Sequence, residues 1–365
     1  MRLMTFPSFQ RLLLRMVVPA LFCCSCALKA PLAGEKTNPV IYPPPPAEPR
    51  IQFLSSFSTS EDFTGKLSPF REFLFGKEEP RPLVKPYGIS VRKPMLYICD
   101  TGIRGLEVVD LEKKTFRYFI PGGPGELQLP LNCGTDANGN LYVADGKRNQ
   151  IVIFDSLLNY RSALTLKDGA RPVDLCLDQQ GLWVAVIDGH RIDHYSLPDL
   201  RLLGSSPSVT AGSPAYLYQP VGIDLRDDRL YVSDIGGCGV AVFDTSYRLL
   251  SAFGESGNAY GQFTRPKGIA AGSEGTVLVV DAAFENVQVF DRENRLLTSF
   301  GGSYKGPGGL WLPAGICYDE SCIEYFKAYV MDGFTLNALV FVVSQYGPGK
   351  ISVYGFISPS EIPAR

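Results

Sequence analysis

One phrase recurs along the chain, and it limits the possible folds more than any other feature. Its clearest copies are PVGIDLRDDRLYVSDIGGCGVAVFD from Pro220 and PKGIAAGSEGTVLVVDAAFENVQVFD from Pro266. Weaker copies begin at Pro86, Pro130 and Pro172, and a sixth opens with PAGICYD at Pro313. The lead prolines stand 44, 42, 48, 46 and 47 residues apart. The chain is rich in Val, Ile, Tyr and Phe runs bounded by Gly, Pro, Asn and Asp. A regular period of that length in such a sequence predicts a β-propeller with one four-stranded blade per repeat.

The residue chemistry supports the same division within each copy. The lead proline has no N–H for a ladder, so it can start a strand but not sit inside one. The strand it starts would lie nearest the propeller axis. The next runs, LYVAD, LYVSD and VLVVD, are almost continuously apolar, as suits a strand covered on both faces by neighbouring blades. The third strand, VAVFD or VQVFD, alternates more, and RLLSAFG or RLLTSFG forms the outer edge.

The sixth copy lacks that outer strand. After an irregular excursion from Glu320 to Asn337 it resumes with ALVFVVSQYGPGKISVYGF, leaving only ISPSEIPAR. Far upstream, RIQFLSSFS from Arg50 is a strand with no partner in its own neighbourhood. It would fill the empty outer place of blade six, close the ring and remove an exposed sheet edge. The expected fold is therefore all-β: a six-bladed propeller of four-stranded antiparallel blades over residues 50–356, with 50–58 completing blade six and a tail at 357–365. A closed ring of this kind is expected to be monomeric.

The P-x-G-I phrase, followed by LYV-x-D and V-x-VFD, resembles the NHL-repeat family of six-bladed propellers. The resemblance is strong at 220 and 266, fair at 86 and 130, and weak at 172 and 313. No copy carries the Gly-His and Trp-Asp pair or the double glycine of other propeller families.

Residues 1–25 read as a targeting segment: Arg2, Arg11 and Arg15 precede a short apolar run, MVVPALFC, that is too short to span a bilayer. The run ends in CCSC. This resembles a bacterial lipoprotein signal, in which cleavage precedes a cysteine that then carries lipid. Ser25 before Cys26 fits the small residue wanted there, whereas Leu21 lies three residues before Cys24, the other candidate; an ordinary signal peptide or anchor is the remaining reading. Ala27 stands where haem attachment would need His. The resemblance implies an envelope protein held by a lipid on Cys26, and Ala27 suggests the outer membrane. Residues 26–49 hold seven prolines without periodicity and read as a solvated tether; the alternative, packing on the domain, is open only around Val40 to Tyr42. Net charge is −2, and removal of the basic leader would make it more negative, so nucleic acid is not an expected partner.

Catalytic chemistry is sparse. Some lyases that share NHL repeats place zinc on three histidines near the axis. This chain has two, His190 and His194, and on one strand they would stand roughly 13 Å apart, too far for one ion. Lactonase-like propellers hold calcium near the axis. The positions two and four residues after each lead proline offer only Asn132, Asp174 and Asp224, too few for calcium. Asp100, Asp145, Asp234 and Asp281 recur at strand ends before turns, where a carboxylate accepts backbone N–H bonds. No cofactor is expected. Cys99, Cys133 and Cys176 read as small core residues, Cys238 as exposed, and Cys317 with Cys322 as a pair that a hairpin disulfide could bridge.

The surface remains. The strand two-to-three loops and the blade-to-blade loops crowd one end of the ring. Blades one to three offer Arg104, Lys147, Arg148 and Arg191 there, and the loops around blades four to six offer Tyr260, Phe263, Tyr304, Trp311 and Tyr346. Clustered aromatics beside Arg suit recognition of a protein or glycan, and the same rings could instead cap blade ends. The leading expectation is a lipid-anchored binding or scaffolding module for an envelope protein or glycan. The alternative is a divergent enzyme of the lyase or lactonase type with a metal near the axis.

Overall fold

A computed structural model describes residues 39–65, 79–179, 181–206 and 209–360. Six antiparallel sheets surround an axis. Five of them are continuous in sequence, each four strands laid outward from an inner strand that begins at a lead proline: Pro86–Arg92, Pro130–Thr135, Pro172–Leu177, Pro220–Arg226 and Pro266–Ala271. Each inner strand packs on the next, and Pro313–Asp319 of blade six returns to Pro86–Arg92.

Blade six is built from both halves of the chain. Its order from the axis is Pro313–Asp319, Phe334–Ser344, Ile351–Pro359 and then Ile51–Phe57. The N-terminal strand pairs antiparallel with the last one, Ile51 opposite Phe356 and Phe57 opposite Ile351. A fifth strand, Ile41–Tyr42, lies outside it. Tyr42 packs at 6.1 Å from the Phe300 ring and 6.3 Å from Tyr354. Two expected boundaries therefore move. Part of the segment read as a tether belongs to the sheet, and Ile357, Ser358 and Pro359, read as tail, extend the last strand because Phe334 and Thr335 are there to pair with them. The excursion after Glu320 holds two single-turn helices, Ile323–Tyr325 and Lys327–Tyr329, and ends at Phe334 rather than Asn337.

The second strands are the core. Leu141–Asp145 and Val277–Asp281 are buried at every residue because a blade lies on either side, and burial of each large apolar side chain stabilises by about 1.5–3 kcal/mol.

The repeated glycine two residues after the proline has a steric reason. Inner strands converge at the axis, and a Cβ on Gly88 would lie 2.3 Å from the Leu131 carbonyl oxygen. On Gly268 it would lie 2.5 Å from that of Ala314, and on Gly315 2.5 Å from that of Tyr87. The recurrent aspartates are also structural. Asp145 accepts from the backbone N–H groups of Gln128, Leu129, Lys147 and Arg148 at 2.6–3.1 Å. Asp100, Asp234 and Asp281 hold the equivalent groups in their blades. Each carboxylate thus ties the loop entering its blade to the turn leaving its second strand.

Candidate functional site

Two cavities lie along the axis. The larger, about 260 Å³, opens where the inner strands end, among Ser90, Thr135, Cys176, Asp224, Cys317 and Tyr318. The smaller, about 20 Å³, lies where the inner strands begin, lined by Tyr87, Val221, Lys267 and Gly268. Asn132 and Asp174 line both. They replace the axial glycine in blades two and three, and the Asn132 amide donates to the Asp174 carboxylate, so this pair forms the partition.

The acids of the larger cavity are occupied by the fold. Asp174 accepts the backbone N–H groups of Leu175 and, from blade four, Ile223, at 2.8 and 2.9 Å. Asp224 accepts those of Leu225 and, from blade five, Ala271, both at 2.8 Å. Each staples one inner strand to the next. Burial raises Asp174 to about 7 against the pull of these hydrogen bonds, and Asp224 to about 6 for the same reason. Asn132, Asp174 and Asp224 therefore fit a calcium ion poorly: three side chains fall short of its six to eight oxygens, and each of theirs already accepts an N–H donor. Histidine placement does not suit zinc either. His190 is exposed in a turn, its Nδ1 2.5 Å from the Tyr218 carbonyl, rather than on a strand. His194 is buried, with its ring stacked 3.7 Å from Trp183, and burial lowers its pKa. Among the described residues no three His, Cys, Asp or Glu side chains gather into a metal-binding group.

The opposite end of the axis is cationic. Lys267, 8% exposed, extends along the Tyr87 ring with its Nζ 4.7 Å from the ring centre and 3.3 Å from the hydroxyl. Burial, then the positive charges of Arg265 and Lys85, lower it to about 8. Lys85 and Lys350 in turn stand 5.5 and 5.8 Å from the Tyr346 ring centre. These cations were not singled out from the sequence. The available signal was positional: the residue after the lead proline is Tyr87, Leu131, Val173, Val221 or Ala314 in five copies and lysine in the remaining one, at Pro266.

The expected recognition residues divide into two kinds. Tyr346 is half exposed, and its backbone N–H lies 3.4 Å from the Trp311 carbonyl. Trp311 packs on Gly347 and lines a groove of about 240 Å³ with Phe53, Pro307, Pro348 and Ser352. Tyr304 is tied to the clasp by a 2.7 Å hydrogen bond between its hydroxyl and that of Tyr42. Tyr260 is 74% exposed on the loop into blade five, whereas Phe263 of the same loop is fully buried. Arg104 is exposed. Arg148 and Arg191 are held by their own chain: Arg148 donates to Gln150 at 2.9 Å and to the Pro124 carbonyl at 3.0 Å, and Arg191 pairs with buried Asp193 at 2.8 Å. Cys317 and Cys322 are free thiols, so the expected bridge is not formed; Cys317 borders the large cavity and Cys322 is buried in the core. Cys26 lies outside the described residues.

The fold has known counterparts. Virginiamycin B lyase from Staphylococcus aureus superposes with a TM-score of 0.51 at 17% identity, covering 74% of this chain and 95% of that one. A catalytically inactive histidine-to-alanine variant of that enzyme, solved with quinupristin, gives 0.50 at 16% identity over 75% and 95%. A gluconolactonase from Xanthomonas campestris gives 0.55 at 14% identity over 85% and 90%. At these identities the likeness shows a shared six-bladed propeller. No family model matches the chain, and no curated protein matches it.

Proposed function

We propose that this chain is a binding propeller, and that its recognition face is the end carrying the strand two-to-three loops and the blade-to-blade loops. The observation that carries this reading is the contrast in commitment. The axial acids are engaged by backbone hydrogen bonds, while Tyr346 is half exposed beside Lys85 and Lys350 and Tyr260 and the Trp311 groove are open to solvent. Aromatic rings with nearby cations are the usual anchors of a protein or glycan interface. An envelope protein or glycan is the partner class proposed, met by a domain that a lipid on Cys26 holds at the bacterial envelope, in the outer membrane. The enzyme alternative would have to work from the large axial cavity, where each oxygen of both carboxylates already accepts a backbone N–H.

A photo-crosslinking residue in place of Tyr346 tests the face against one in place of Lys113, an exposed residue in the strand three-to-four turn of blade one, at the opposite end. Adducts to one partner from position 346 and none from 113 are expected; adducts from 113 alone would contradict the assignment. Fatty-acid labelling is expected to disappear in Cys26→Ala, and unchanged labelling would move the anchor to Cys24.

A further inference from the structure

We propose that the mouth of the axial channel at the loop end binds a small carboxylate, held by Lys267 and Tyr87. A lysine 8% exposed is costly to bury unless something offsets its charge. The face of the Tyr87 ring offsets part of it. Among the described residues no carboxylate pairs with Lys267, and its ammonium, with three N–H donors, has one side-chain acceptor, the Tyr87 hydroxyl at 3.3 Å. Arg265 and Lys85 add positive charge close enough to act on it. Asp174 lines the same cavity but its oxygens accept backbone N–H groups, so the amine lies among donors and positive charge with no anionic acceptor in contact with it.

The space limits that acceptor. The cavity of about 20 Å³ accommodates roughly one water-sized group. One oxygen of a carboxylate fits it, and the bulk of a larger, tetrahedral anion would have to stay in the open mouth beside it. Tyr87 accepts from Lys267, which leaves its own hydroxyl proton to donate. Asn132 and Asp174 stand between this cavity and the larger one, so a ligand would enter from the loop end with its remainder near the exposed Arg265. Elsewhere on the axis a buried charge has its own backbone donors, as Asp224 does; Lys267 is the exception. The site does not depend on which partner occupies the rim of the same face.

Calorimetric titration and melting of the full chain at matched ionic strength, with acetate, acetamide and inorganic phosphate as probes, test this. Acetate is expected to bind and raise the melting temperature. Acetamide, the same shape without the charge, and phosphate are each expected to bind at least about tenfold more weakly. Lys267→Met should reduce acetate affinity about tenfold or more, and the rim double variant Arg265→Ala/Lys85→Ala by about threefold through the field alone. Should Lys267→Met fail to fold, the rim variant still decides. Equal response to acetate and acetamide, unchanged acetate binding in either variant, or phosphate binding as tightly as acetate would each overturn the proposal.

Discussion

The two ends of the axis bury ionisable groups in different ways. At the wide end Asp174 and Asp224 lie out of water, yet their oxygens receive backbone N–H groups from their own and the next blade. At the loop end Lys267 is buried with one neutral hydroxyl beside it and two further cations near it. Both look like perturbed, functional groups if only their pKa directions are considered. Their partners separate them: the acids are explained by the stapling of the ring, and the amine is not. Burial of a charge points to a ligand only after the fold's own hydrogen bonds have been counted.

Both ends exist only in a closed ring, and opening it should have the largest effect. Deleting residues 50–58 strips a strand whose Ile51, Leu54 and Phe57 are buried. At about 1.5–3 kcal/mol for each large side chain, against a total of about 5–15 kcal/mol, insoluble protein is expected. A soluble deletion with an unchanged melting temperature would remove the clasp from the account. Removing residues 39–49 instead forfeits Tyr42 and its packing on Phe300 and Tyr354, so its melting temperature should fall by several degrees rather than stay level.

Next in size is the convergence that separates the two ends. In Gly268→Ala the new Cβ would meet the Ala314 carbonyl at 2.5 Å. Backbone cannot retreat as a flexible side chain can, so a loss above about 2 kcal/mol is expected in a urea titration. A loss below 0.5 kcal/mol, the usual size at indifferent surface sites, would show that the inner strands are free to spread.

The wide end should show itself in pH dependence. Asp174 is raised to about 7 and Asp224 to about 6 in the folded chain, against roughly 3.9 in an unfolded one. Folded protein therefore holds these protons more tightly, and the stability they contribute is full below about pH 4 and is lost as pH rises through 6 to 7. Glu107, whose two buried oxygens find no partner, is raised well above its usual value by burial and by Asp100, and acts in the same direction. The melting temperature should drop between pH 5 and 7.5, and Asp174→Asn should flatten part of that slope. An identical slope in the variant would mean that Asp174 is ionised throughout. Smallest is the change at the loop end, where Lys267→Met removes an incompletely compensated buried charge. Stability there should rise or stay within about 1 kcal/mol, and a loss beyond 2 kcal/mol would show that the fold itself satisfies the amine.

The repeat made the fold legible because each of its letters answers a steric or hydrogen-bonding need that recurs at every blade: the proline, the axial glycine and the turn aspartate. The clasp was legible by shortage, since a sixth blade with three strands requires a fourth. The site was less so. Whether Arg148 and Arg191 are open for a partner depends on the carbonyl of Pro124 and the carboxylate of Asp193, and that depends on loop conformation, which has no periodic signal. Lys267 stood in view as a break in the pattern, but its isolation from carboxylates emerges only when the blades are assembled around it.

The most direct measurement of the recognition face uses one variant in two assays: Tyr304→Ala, Trp311→Ala and Tyr346→Ala combined, followed by capture from crosslinked cells and by a melting curve. Tyr304 and Trp311 contribute some packing, through Tyr42 and Gly347, so a fall of a few degrees is expected with the fold retained. Capture of the partner should be lost from this folded protein, and should persist in Arg148→Ala/Arg191→Ala, whose side chains are committed to their own loops. Capture intact in the aromatic variant, together with a steep loss of stability, would make these rings caps of the blades and contradict the binding face.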